Sequence, residues 1–205
     1  MKKIMMMAAA VLMAGCAVAQ DVQLPEPNKN VSMTLMDALQ QRTSQRSYSD
    51  KAVDDATLSQ VLWAACGINR PDSKRITAPS AINAQDIQLY VLRADGAFLY
   101  QPISNSLKKV CSEDLRQPMA GPQQFAADAP VGLLLVSDQS KFRAHAERYG
   151  AMDAGYVSEN IYLACTALGL NTVARAMMDA KVLSEKLGLA EHLVPMLNHP
   201  IGWPK

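Results

Sequence analysis

The chain has 205 residues, 49% of them hydrophobic and 19% charged, and its 20 Lys and Arg against 19 Asp and Glu leave a formal charge of +1. That balance argues against a nucleic-acid binder or a polybasic membrane module, both of which need clustered positive charge, and ordinary Gly and Pro contents argue against collagen-like or disordered chains. With 5% aromatic residues, the core must draw its volume from Ala, Leu, Val and Met, which suits closely packed helices.

At the amino terminus, Lys2 and Lys3 precede an apolar run from Ile4 to Ala14, and Ala17-Val18-Ala19 supplies the small residues of a cleavage site. Residues 1–19 therefore read as a signal peptide, with export to the periplasm or beyond. The same segment has a second reading, in which Leu12 to Cys16 is a lipoprotein signal and Cys16 carries a lipid anchor at the membrane surface. The run is too short to span a bilayer permanently. Cys66, Cys111 and Cys165 remain, an odd number without metal-ligand spacing; Cys66 and Cys165 fall in apolar helical patterns and read as buried thiols. Residues 20–33, with Pro25 and Pro27, read as an extended leader that wraps a neighbour. Residues 34–205 read as one domain.

Thr34 with Asp37 predicts a capped helix carrying Leu35, Ala38 and Leu39 on one face as far as Arg42. Asp54 or Asp55 caps a second helix through Leu58, Val61, Leu62 and Ala65 to Gly67. Residues 68–80 read as a loop. Ile87 to Arg93 is a strand, Asp95-Gly96 a turn, and Ala97 to Gln101 its return. Residues 104–127 read as short helices and loops, and Val131 to Val136 as a buried central strand. The longest helix is expected over about 153–168, with Ala154, Val157, Ile161 and Cys165 on an apolar arc wide enough to suggest a two-fold interface through Ala154 and Ile161. Asp179 caps a helix ending at Gly188, and His199 to Trp203 is a last strand.

Two segments carry candidate chemistry. Arg42-Thr43-Ser44-Gln45-Arg46 places two guanidinium groups and two hydroxyls just after a helix, a donor set suited to a phosphate; it is equally the composition of a solvated helix end. Thr77 to Gln85 offers a rigid turn and the amide side chains of Asn83 and Gln85 for hydrogen bonds to a heterocycle edge, or simply a turn before a strand. His145, His192 and His199 are scattered, so neither a metal site nor a Ser-His-Asp triad is indicated, and no Gly-rich phosphate loop is present.

In order and spacing these segments resemble the FMN-dependent nitroreductase family. The resemblance rests on RTSQRSY at 42–48, LWAACGINR at 62–70, APSAINAQ at 78–85, APVGLLLV at 129–136, DAGYVSENIYLACTALGLNTV at 153–173 and PIGW at 200–203. It implies an α+β, three-layer fold with a mostly antiparallel central sheet flanked by helices and a long dimerisation helix. It also implies a homodimer with FMN at the interface. Arg42, Ser44 and Arg46, with Thr43, would hold the phosphate. Pro79, Ser80 and Asn83 would approach the flavin from the partner subunit. Ala174, Arg175, Ala176 and Met177 would lie beside the ring, with a backbone N–H near flavin N5 and Arg175 either facing the ring or turned away. Many relatives carry Glu-Gly where this chain has Ala176-Met177, and the chain ends at Lys205, where relatives often continue.

The implied activity is ping-pong electron or hydride transfer to a small nitroaromatic or quinone-like acceptor, with no catalytic side chain. Export separates the chain from cytoplasmic NAD(P)H, which leaves open a dehydrogenase or oxidase with another donor, as in the azoline-oxidising subgroup, and a non-catalytic flavin binder.

Overall fold

The computed structural model describes residues 20–205; the expected signal peptide and Cys16 lie outside the described residues. The elements in chain order are β1 (Val22–Gln23), α1 (Leu35–Gln41), α2 (Asp55–Cys66), β2 (Ile68–Arg70), β3 (Arg75–Ile76), β4 (Ile87–Arg93), β5 (Gly96–Gln101), β6 (Ser106–Cys111), α3 (Arg116–Ala120), α4 (Gln124–Ala127), β7 (Val131–Asp138), α5 (Ala146–Leu168), β8 (Asn171–Thr172), α6 (Ala180–Leu187) and β9 (Leu193–Gly202).

Seven strands form one sheet in the order β1-β6-β5-β4-β7-β9-β8, antiparallel at every pairing. The apolar runs of β4 and β7 lie at its centre because both of their faces are covered. Leu89 and Val91 of β4, with Leu133 and Leu135 of β7, join Leu58, Leu62, Val157 and Ile161 on the α2/α5 side. Tyr90, Leu92, Leu134 and Val136 face Leu115, Met119, Leu183 and Leu187 of the α3/α6 side. Strand alternation thus produces the expected three layers.

Local signals explain most boundaries. Thr34 Oγ1 accepts from the Asp37 N–H at 3.1 Å, and Asp54 caps α2 through the Thr57 N–H at 2.7 Å. Gly67 ends α2 with φ −73°, so a positive φ is not what requires glycine there. A Cβ at that position would overlap the Trp63 side chain and backbone.

Several expectations need correction. The loop at 68–80 contains the β2/β3 hairpin. β6 was hidden within 104–127 because its two lysines, at an edge-like position, break the apolar pattern, while only Leu107 is fully buried. β9 begins at Leu193, well before His199; Pro195 is tolerated because the β7 partner register shifts between Leu135 and Val136 at that point. The leader joins its own subunit: β1 pairs with β6, Leu24 is buried, and the Pro25 carbonyl accepts from Ser59 Oγ and Asn105 Nδ2.

The long helix starts seven residues earlier than its apolar arc, because its first two turns lie mostly in solvent. Ala154 and Ile161 are fully buried in their own subunit, against α2 and the sheet, and cannot form a two-fold contact. The outward face instead carries Met152, Gly155, Tyr156 and Glu159. α1 also differs from its expected role: Ala38 is buried, but Leu35, Met36 and Leu39 are exposed.

Candidate functional site

The segment 42–46 leaves the end of α1 and runs beside the carboxy-terminal half of α5. It is fixed by its backbone: the Gln45 N–H donates to the Thr172 carbonyl at 2.9 Å, and Asn171 Nδ2 donates to the Ser47 carbonyl at 2.8 Å. Thr43, Ser44 and Arg46 are exposed and Arg42 is half-buried, its guanidinium carbon 5.1 Å from the Tyr162 ring centroid. Among the described residues, neither guanidinium forms a salt bridge or a side-chain hydrogen bond.

Tyr162, on α5, joins this segment to the next. Its hydroxyl lies 2.8 Å from Ser44 Oγ and accepts from the Ala174 N–H at 2.8 Å. Residues 174–177 are held by Asn198 of β9 through reciprocal backbone bonds with Arg175, at 2.9 and 2.7 Å, and through Asn198 Nδ2 donating to the Met177 carbonyl at 3.2 Å. Ala176 and Met177 are exposed. Among the described residues, their N–H groups have no protein acceptor.

Arg175 is turned away from this surface. Its guanidinium donates to Gln123 Oε1, Asn198 Oδ1 and the carbonyls of Met119 and Ala120 at the end of α3. Burial disfavours its charge, and no carboxylate pairs with it among the described residues. What Arg175 can offer a ligand is therefore a buried positive field rather than free donors. That field reaches Tyr48, whose phenol is pushed upward by burial despite the opposing charges of Arg175 and Arg46.

Behind Tyr162, His199 is fully buried and stacks edge-on at 5.2 Å. Its ring nitrogens meet Ser158 Oγ at 2.8 Å and Thr172 Oγ1 at 3.0 Å, and burial pushes its pKa down to about 3. A neutral His between two hydroxyls, without a carboxylate, braces α5 against β8 and β9; it does not activate a nucleophile.

The third candidate segment lies elsewhere in the subunit. Pro79 and Asn83 are exposed and Ser80 is half-buried, with Ser80 Oγ accepting from the Gln85 N–H at 2.8 Å. The Ala81 N–H donates to both carboxyl oxygens of Asp153, each at 3.0 Å. Ile82, Asn83 and Gln85 all adopt positive φ, so this loop is held in its shape by tertiary contacts. It borders a cavity of about 280 Å³ with Tyr149, Met152 and Tyr156. Asp153 and Tyr162 are nine residues apart on one helix, roughly 14 Å along its axis. The first two candidate segments thus form one cluster, and the 79–83 loop is separate from it within the subunit.

Sequence reasoning missed Tyr162, Asn198 and Asp153. Tyr162 was the most accessible of the three, as a hydroxyl-bearing residue inside an otherwise apolar arc.

The nitroreductase family model matches residues 39–203. The chain belongs to the nitroreductase family. A Methanocaldococcus jannaschii protein, named Putative nitroreductase, is 29% identical over 195 residues, covering 89% of this chain and 96% of that one. The Methanothermobacter thermautotrophicus protein named Putative NADH dehydrogenase/NAD(P)H nitroreductase is 25% identical over 178 residues, covering 84% and 78%. The crystal structure of a Ralstonia eutropha protein, also designated a nitroreductase, superposes with a TM-score of 0.84 at 33% identity over 90% of each chain. This member of the family is an oxidoreductase, with the family's α+β fold of a central antiparallel sheet between helices. Among its described residues, no helix is long and apolar enough to cross a membrane.

Proposed function

We propose that this nitroreductase-family oxidoreductase binds FMN and passes electrons or hydride in a ping-pong cycle from a donor to a small nitroaromatic or quinone-like acceptor. The observation that carries this reading is the junction made by Tyr162, which joins the hydroxyl and guanidinium donors of 42–46 to the accessible backbone of 174–177. The donor set fits the group: two unpaired guanidinium groups and an exposed hydroxyl suit a phosphate, and free N–H groups at Ala176 and Met177 suit the edge of a heterocycle.

When bound, FMN supplies the redox chemistry, and the protein supplies binding, orientation and electrostatics. Arg42, Ser44 and Arg46, with Thr43, hold the phosphate. The backbone of 174–177 would line the ring, and the buried Arg175 would contribute positive potential that favours added negative charge. Asn198 keeps that backbone in place.

The same geometry supports a homodimer. The outward stripe of α5 at Met152, Gly155 and Tyr156, with Leu35, Met36 and Leu39 of the adjoining α1, gives an apolar surface for a second copy. A two-fold axis near the middle of α5 would exchange the helix ends. The 79–83 loop of one subunit would then lie near the 42–46 cluster of the other, bringing Pro79, Ser80 and Asn83 to the flavin.

The sequence of residues 1–19 supports export as a soluble protein, with a lipid anchor at Cys16 as the second form. Strand β1 starts at Val22, so a mature chain starting at Gln20 would retain it. Export favours a donor other than NAD(P)H as the physiological one.

The test is flavin titration of the purified mature protein. One FMN per subunit is expected, and Arg46→Ala should weaken binding by about 1.5–3 kcal/mol, the scale of a lost charged hydrogen bond. Equal affinity for the wild type and for Arg42→Ala/Arg46→Ala would overturn the phosphate assignment.

A further inference from the structure

We propose that Tyr162 is a positioning residue whose hydroxyl fixes Ser44 as a hydrogen-bond donor toward a bound phosphate monoester and ties that donor to the backbone of Ala174. The inference rests on the phosphate assignment above.

It follows from the direction of each hydrogen bond. The Ala174 N–H can only donate, so the Tyr162 hydroxyl oxygen accepts it at 2.8 Å. The single phenol proton must then go elsewhere, and Ser44 Oγ, also at 2.8 Å, is the acceptor in reach. Ser44 Oγ therefore accepts from Tyr162 and keeps its own proton free. Ser44 is exposed, and its side chain has no other partner among the described residues. Its proton is left pointing outward.

The resulting chain runs from the Ala174 N–H through Tyr162 and Ser44 to the ligand. Each donor is polarised by the one before it, which strengthens the last bond to an anion. Reversing the Ser44–Tyr162 bond would leave the phenol proton without a protein acceptor among the described residues.

The ring that carries the hydroxyl is held on both sides. Arg42 lies over it at 5.1 Å, so a fixed cation and a fixed hydroxyl are presented by the same side chain. His199 meets it edge-on, and is itself gripped by Ser158 and Thr172. The Thr172 carbonyl in turn accepts the Gln45 N–H of the 42–46 segment. Replacing Tyr162 with Phe keeps these ring contacts and removes only the hydroxyl.

The experiment compares dissociation constants of FMN and riboflavin, which differ by the phosphate, for the purified wild type, Tyr162→Phe, Ser44→Ala and the double variant. Tyr162→Phe should lower the preference for FMN over riboflavin roughly fivefold to tenfold. The double variant should be no worse than the poorer single variant by more than about twofold, because the two groups act as one unit. Equal losses of FMN and riboflavin affinity in Tyr162→Phe, or independent and additive effects of the two substitutions, would overturn the role of Tyr162. A wild type that binds FMN no more tightly than riboflavin would remove the phosphate assignment itself, and this inference with it.

Discussion

Asp153 and Asp86 form a buried acidic pair beneath the 79–85 loop, and replacing Asp153 with Asn should change the pH dependence of stability. Asp86 is fully buried and Asp153 is 1% exposed. Ser137 Oγ donates to Asp86 Oδ2 at 2.6 Å, and among the described residues no other N–H or hydroxyl donor reaches Asp86 Oδ1, which leaves it to a proton carried by Asp153. Burial first, and then the hydrogen bond with Asp86, push the Asp153 pKa up to about 6; the Ala81 N–H opposes the shift. A proton on Asp153 lets the two carboxyls bond to each other, whereas loss of that proton leaves two negative charges in contact.

The sign follows directly. Because the folded pKa is raised, the stability of the protonated pair is fully present below the unfolded value near 3.8 and is lost as pH rises through about 6. At about 1.4 kcal/mol per pKa unit, the loss by pH 8 is on the order of 3 kcal/mol at most. Structural relaxation around the pair would reduce it, so about 1–3 kcal/mol is expected. Asn at 153 retains an acceptor for Ala81 and a permanent donor for Asp86. Urea unfolding from pH 5 to 8 should therefore show Asp153→Asn to be the more stable protein at pH 8, with the difference shrinking toward pH 5. A difference that stays constant across this range would refute the shared proton.

Tyr156→Arg, on the outward stripe of α5, should weaken dimerisation in sedimentation experiments with less than about 0.5 kcal/mol change in subunit stability; Ala154→Arg should instead unfold the subunit, since Ala154 has no room. Retention of a full dimer by Met152→Asp/Tyr156→Arg would move the interface elsewhere. Arg175→Met should cost about 2 kcal/mol or more in urea unfolding, because four acceptors, three of them buried, lose their donor; a neutral result would mean that the relieved charge burial offsets them. Mass spectrometry of the exported protein should find a chain beginning at Gln20. A diacylglyceryl group on Cys16 would establish the anchored form, and an intact Met1 would exclude both.

Elements governed by near neighbours were legible in the sequence. Helix caps at Thr34, Asp54 and Asp179 need a side chain and an N–H three residues on, and the continuous apolar run of β7 declares burial on both faces. The ordered motifs were enough to identify the family and to select the 42–46 and 174–177 segments. What tertiary structure decided is where faces and protons point. The apolar arc through Ala154 and Ile161 suggested a two-fold interface but meets α2 and the sheet of its own subunit, because both environments select the same residues. β6 escaped notice because the pairing of a half-polar strand comes from the strands beside it. Arg175 looked like a candidate for the ring until Gln123, Asn198 and the end of α3 turned its guanidinium inward. Tyr162 gains its place only because α5 brings it to Ser44 and Ala174, far away in the chain; sequence spacing carries no record of such a contact, and hydrogen-bond direction exists only once the atoms have met.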